Sequence, residues 1–194
     1  MSKEELQKMI QSLSLNEKIE FESIPNLDLY MDQVITLFED KLGHTKRYEA
    51  DKLLTKTMIN NYTKDKLLMP AVKKKYTKEH ILLMILLYDL KQILTIGDIK
   101  DLFGTVIADS KVDSKLLAEV YQMFTGLKVE SANKFEGEVK ALSNAIDSKL
   151  ENLVAEDIVE LEKLKGMLQV ILLTEKANYY KRLAEKIIDE KIKA

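Results

Sequence analysis

The chain has no cysteine, and only two prolines, six glycines and two histidines among 194 residues. Without cysteine there is neither a disulfide framework nor a thiolate metal site. His44 and His80 stand 36 positions apart with no ligand-spaced companion, whereas zinc takes three or four ligands, so no metal site is expected. The scarcity of glycine and proline, with no low-complexity tract, excludes a disordered or loop-rich chain and leaves a helix-rich globular one of one or two domains. No GxGxxG or GxxxxGK[ST] phosphate loop and no GxSxG turn occurs, and the acidic residues form no evident catalytic pair on one helix face. An enzyme is therefore not expected, and no cofactor is assigned. The longest apolar run, Ile81 to Tyr88, is far below the roughly 20 residues that span a bilayer. The opening MSKEELQKMI is charged where a secretory leader would be apolar, so the expected location is cytoplasmic.

What is present is charge, unevenly placed. The composition is 46% hydrophobic and 32% charged, with a net charge of -2. From Lys46 to His80, however, ten basic residues face four acidic ones, so a window of +6 sits in a chain whose remainder is -8. Such a window attracts a polyanion even when the whole protein is acidic. A solvated lysine surface is the plainer alternative.

Hydrophobic spacing divides the chain into helices. Ser2 and Glu5 have the form of a capping box ahead of Leu6, Met9, Ile10 and Leu13. After Ile24-Pro25-Asn26, a stripe of Tyr30, Val34, Leu37, Phe38 and Leu42 predicts a helix over about 29–42, with Gly43 as a left-handed exit. Thr55 is placed to cap a helix carrying Met58, Ile59, Tyr62 and Leu67. Met69-Pro70 interrupts it, and Ala71 to Tyr76 reads as an extended or turning basic segment before Thr77 caps the next helix. That helix, Lys78 to about Leu94, is apolar on nearly every face through Ile81 to Leu87 and is expected to be buried. Thr95 caps a short helix with Ile96, Ile99, Leu102 and Phe103 inward, ending at Gly104.

Beyond residue 112 two or three further helices are expected. Leu116 to Phe124 supplies one stripe ending at Gly126, and Ala132 to Leu150 supplies a second. From Ala155 to Lys193 the seam of Ile158, Leu161, Leu164, Leu168, Ile171 and Leu172 predicts a helix of about 58 Å, with a possible break at Glu175 and Asn178. A helix this long packs on another chain or on an antiparallel partner, and dimerisation is the preferred reading.

The order of short capped helix, basic turn, buried helix and short capped helix resembles the MerR-type winged helix-turn-helix of bacterial transcription regulators over residues 54–103. Over about 24–103 the chain more closely resembles an uncharacterised bacterial family, known as a domain of unknown function. The stretches "IPNLDLYMDQV", "LTKTMINNYTKDKLL" and "VKKKYTKEHILL" carry that likeness. Positions of the MerR recognition pattern fall on Thr55, Thr57, Ile59, Asn60, Asn61 and Tyr62. Thr57 and Asn60 stand where arginine is frequent, Asn61 replaces a tyrosine, and Lys66 replaces a common glycine before Leu67-Leu68. Gly43 to Leu54 is longer than the usual three- to four-residue turn, so either an extra helical turn lies there or the preceding helix runs on.

The residue chemistry is compatible with duplex DNA. Asparagine can bond adenine N6 and N7 together, which makes Asn60 and Asn61 candidate base readers. Thr55, Thr57 and Tyr62 can donate to phosphates, and Lys56 and Lys64, with Lys73, Lys74, Lys75 and Tyr76 on the wing, complete the expected DNA-binding set. The expectation is thus an all-α protein in three parts. They are an N-terminal helical arm at 1–22, a winged helix-turn-helix-like domain at 23–105, and a C-terminal bundle or long dimerisation helix at 106–194. It would act as a homodimeric transcription regulator binding duplex DNA, and analogy adds a small-molecule effector. The alternative is a helical protein–protein interaction module that binds no DNA.

Overall fold

The computed structural model describes residues 3–109, 111–151 and 158–193. The protein is mostly helical, 70% helix and 5% strand, with seven α-helices among the described residues. None of the described helices is long and apolar enough to cross a membrane. Two compact units share the chain, and they do not follow its order. One comprises residues 18–126 with 184–194, the other 1–17 with 127–183.

The first unit contains the basic window. It begins with a 3-10 turn, Phe21–Ser23, followed by β1 (Leu29–Tyr30) and α2 (Met31–Leu42). Val34, Phe38 and Leu42 recur every fourth residue and are buried, as the spacing predicts for one helix face. Gly43 is not a left-handed exit. Its φ of -54° keeps it right-handed, and the chain tightens into a 3-10 turn, Gly43–Thr45, whose Thr45 hydroxyl donates to the Leu42 carbonyl at 2.7 Å. The surplus length before the next helix therefore contains an extra helical turn, although of the tighter kind.

α3 (Lys56–Lys64) starts where Thr55 accepts the Met58 N–H at 3.1 Å, a cap worth about 1 kcal/mol. It stops in a reciprocal pair of bonds, Leu67 N–H to the Tyr62 carbonyl at 2.8 Å and Lys66 N–H to the Thr63 carbonyl at 3.1 Å. Such an ending needs a left-handed residue at its centre. Here that residue is Lys66, with φ 62°. Leu67 and Leu68 then turn into the core.

The segment after Pro70 is a hairpin. Val72 and Lys75 exchange both backbone bonds, at 3.0 and 2.9 Å, around Lys73 and Lys74, which have φ 51° and 65°. Two consecutive positive φ values define a type I′ turn, the tightest connection that matches strand twist. β2 (Lys75–Tyr76) runs from it antiparallel to β1, with Tyr30 opposite Lys75 and Leu29 opposite Tyr76. An entirely helical reading misses this pairing.

α4 (Lys78–Leu90) is the centre of the unit. His80 through Ile85 and Leu87 are buried, and each fully buried aliphatic side chain contributes about 1.5–3 kcal/mol. His80 receives the Thr77 N–H on Nδ1 at 3.1 Å, which leaves Nε2 as the protonated nitrogen donating to the Met69 carbonyl at 3.2 Å. Both ring nitrogens are spent on structure.

α5 (Ile96–Phe103) is capped by Thr95, whose Oγ1 accepts the Asp98 N–H at 3.2 Å while the Asp98 carboxylate accepts from Thr95. Ile99 and Phe103 point inward, but Ile96, expected there, is 40% exposed in the first turn. A second short antiparallel pair, β3 (Ile107–Ala108) with β4 (Lys111–Val112), follows where the hydrophobic spacing predicts no strand. The last residues of the chain complete this unit. Ile188 is buried in a π-helical turn, Ile188–Ile192, that packs against α5, and Lys193 reaches Asp98 and Asp101 at 3.7 and 3.4 Å.

The second unit is built from α1 (Lys3–Ser12), part of α6 (Ser114–Leu150) and most of α7 (Ile158–Ile187). Ser2 lies outside the described residues, so the expected capping box does too. α6 continues through Gly126 where two helices are expected: Phe124, Thr125 and Gly126 are weak helix formers, but a single glycine costs a helix only about 1 kcal/mol, which several helical turns on either side outweigh. α7 likewise passes Glu175 and Asn178 unbroken, giving a helix of about 45 Å at 1.5 Å per residue. Ala155 and the side chain of Ile158 lie outside the described residues. The two helices run antiparallel: Lys165 pairs with Asp147 at 2.5 Å, and Gln169 donates to Ser143 at 3.3 Å. One face of α7 is thus satisfied within the chain. Leu164, Met167, Val170 and Ile171 lie on its other side and remain exposed.

Candidate nucleic-acid interface

α3 has one buried face and one bare one. At 100° per residue, Ile59 and Tyr62 occupy the inner side, with Met58 and Thr63 half-buried at its margins. Lys56, Thr57, Asn60, Asn61 and Lys64 fill the remaining arc and are all exposed. The spacing i, i+1, i+4, i+5 and i+8 leaves both amides and both lysines directed at solvent on a single surface. An exposed asparagine on a helix has no partner to satisfy and retains its full donor and acceptor capacity.

The lysine hairpin belongs to the same neighbourhood. Its strand lies against Tyr30, and the Lys75 ammonium sits 5.1 Å from the Tyr30 ring centre. Two residues along, Asp32 in the first turn of α2 forms an ion pair with Lys56 of α3 at 2.7 Å. The short stretch 30–32 therefore touches the hairpin with one residue and the front of α3 with another. Lys73 and Lys74, at the tip, are exposed.

Three of the expected residues play other parts. Tyr62 and Tyr76 are buried in the core cluster, and burial raises the pKa of both hydroxyls. Tyr76 stacks edge-on against His80 at 5.5 Å. Thr55 is half-buried with its oxygen committed to the cap. For Tyr62 the reason is helical phase: it lies three residues from Ile59 and shares its face, a signal the sequence contains.

One feature had no sequence signal. Of the described residues, Ser14, Lys66, Lys73, Lys74 and Asp109 have positive φ, and not one of the six glycines does. Left-handed backbone costs a residue with a Cβ roughly 1–2 kcal/mol. At Lys73 and Lys74 a tight turn is made from residues that disfavour it, where asparagine and glycine would form it readily.

Residues 19–124 match a domain of unknown function, DUF1836. The chain belongs to the DUF1836 family. Comparison with curated proteins and with solved structures finds no match. The DUF1836 region contains α2 to α5, both antiparallel strand pairs and the start of α6, so every residue of the bare α3 face and of the lysine turn lies inside it.

Proposed function

We propose that the DUF1836 domain binds duplex DNA, with the exposed side of α3 entering the major groove and the Lys73-Lys74 turn touching the adjacent backbone as the wing of a MerR-like winged helix-turn-helix. The observation that carries this reading is the co-location of Asn60, Asn61, Lys56 and Lys64 on one bare helix face. The lysine turn that shares the 30–32 segment with α3 supports it. In this arrangement the amides read adenine edges, Lys64 neutralises a phosphate, Lys56 does so on exchanging its exposed Asp32 partner for one, and Thr57 donates to a phosphate oxygen. The protein acts as a transcription regulator.

A palindromic site needs two copies. The apolar residues on the free side of α7, with Met167 60% and Val170 64% exposed, suit a helix-to-helix contact with a second chain. Selection from a random duplex library with purified protein, read beside its mass in solution, tests both parts. The expected outcome is a symmetric enriched sequence, a dimer mass, and an affinity that falls steeply with salt. Failure to enrich any sequence would remove the DNA reading. In that case Met167, Val170 and Ile171 favour the second reading, a helical module that binds another protein.

A further inference from the structure

Lys46, Arg47 and Lys52 of the basic window belong neither to the α3 face nor to the lysine turn. They lie in the long connection between α2 and α3, where they line a cleft of about 390 Å³ together with Thr45, Asp51, Leu53, Tyr88, Lys91 and Gln92. That volume is many times the roughly 30 Å³ occupied by a water molecule. We infer that this cleft is a binding site for a small phosphate-bearing anion, gripped by the Lys91 ammonium with Arg47 and Lys52 at its rim.

Lys91 is the centre of the inference. It caps the C-terminal end of α4 and is half-buried, and desolvation lowers its pKa. Among the described residues its ammonium reaches two oxygens, the Leu53 carbonyl at 3.4 Å and the Tyr62 hydroxyl at 3.5 Å. Good N–H···O bonds are 2.7–3.2 Å long, so both contacts are slack and three strong donors are left under-used. Among the described residues no carboxylate pairs with it. The Tyr88 ring, with its centre 5.4 Å away, supplies a weaker attraction, and the negative end of α4 another.

The other charges are arranged to leave this cation available. Lys46 is bound to Glu39. Asp51, the acid of the cleft, accepts the Tyr48 N–H at 3.0 Å. Arg47 lies over the Tyr48 ring at 5.2 Å, and Lys52 is exposed. Thr45 gives its proton to the Leu42 carbonyl, so the Tyr88 hydroxyl, 2.7 Å away, donates to Thr45 and pins that wall. Three cations against one carboxylate, with one ammonium partly dehydrated beforehand, favour a dianion over a neutral ligand.

The probe is sodium pyrophosphate, titrated calorimetrically at constant ionic strength with no nucleic acid present. This outcome is independent of the DNA reading, which fails or stands on the library selection. Wild-type protein is expected to bind one pyrophosphate per chain. Lys91→Met should weaken it at least about tenfold, the usual scale for losing a charge-assisted contact, while Lys74→Met should change it less than about twofold. If Lys91→Met does not fold, Arg47→Met with Lys52→Met, both at the cleft rim, is expected to weaken binding about fivefold. Absence of pyrophosphate binding, full retention in the cleft variants, or an equal loss in Lys74→Met would each overturn the assignment.

Discussion

Changing the hairpin tip to the residues its geometry favours, Lys73→Asn with Lys74→Gly, separates stability from binding. Both positions have positive φ, at 51° and 65°. Left-handed backbone costs roughly 1–2 kcal/mol for an ordinary side chain, while glycine returns about 0.5–1 kcal/mol of that as lost backbone entropy. Asparagine tolerates the conformation better than lysine. The net expectation is a gain of about 1 kcal/mol, which in a chain of this size raises Tm by about 2–4 °C. If the lysines neutralise two phosphates, the slope of log K against log salt should become shallower by about 2, and affinity should fall on all duplexes alike. Thermal melting and fluorescence anisotropy across a salt series, on the same variant, measure the two effects. A variant that melts higher but keeps the wild-type salt slope would show that the lysines at this turn do not face phosphate. One that melts no higher would refute the strain itself.

Further expectations concern separate parts of the domain. Asn60→Ala should cost about 1–3 kcal/mol of base discrimination while leaving non-specific affinity intact, measured by competition between selected and scrambled duplexes; an equal loss on both contradicts base reading. Lys66→Gly places glycine at a left-handed helix end and should stabilise by about 1 kcal/mol, whereas Lys66→Ala should be near neutral, as read from denaturant midpoints. Burial holds the His80 pKa below its ordinary value of 6.5. The unfolded chain therefore takes up a proton that the native state refuses. Stability is full above about pH 6.5 and declines as pH falls toward the lowered native pKa. In urea titrations His80→Gln should flatten that decline, and an unchanged slope would place its origin in another group.

Much of this architecture can be read from local chemistry. Thr55, Thr77 and Thr95 each precede a helix because one side-chain oxygen and one spacing decide a helix start. Burial of α4 follows from an apolar run with no polar face. The inward position of Tyr62 was also legible, since three residues separate it from Ile59. Glycine misled at Gly43 and Gly126, because its freedom permits a helix end without requiring one, and neighbours decide. The extended segment holding β2 is legible from Pro70 and the basic run after it, whereas β1, β3 and β4, at two residues each, are too short to show alternation. Left-handed lysines leave no compositional trace, and the Lys91 cleft joins residues over forty positions apart that only the fold brings together.

The tail at Ile188 to Lys193 changes what counts as the whole domain. A fragment ending at residue 124, where the family match stops, would lack the turn that covers α5 and the cation that answers Asp98 and Asp101. Excised in that way, the fragment would present raw apolar surface to its neighbours and tend to clump. Stitching 184–194 back through a flexible tether would restore the missing cover and is the route to a well-behaved minimal piece.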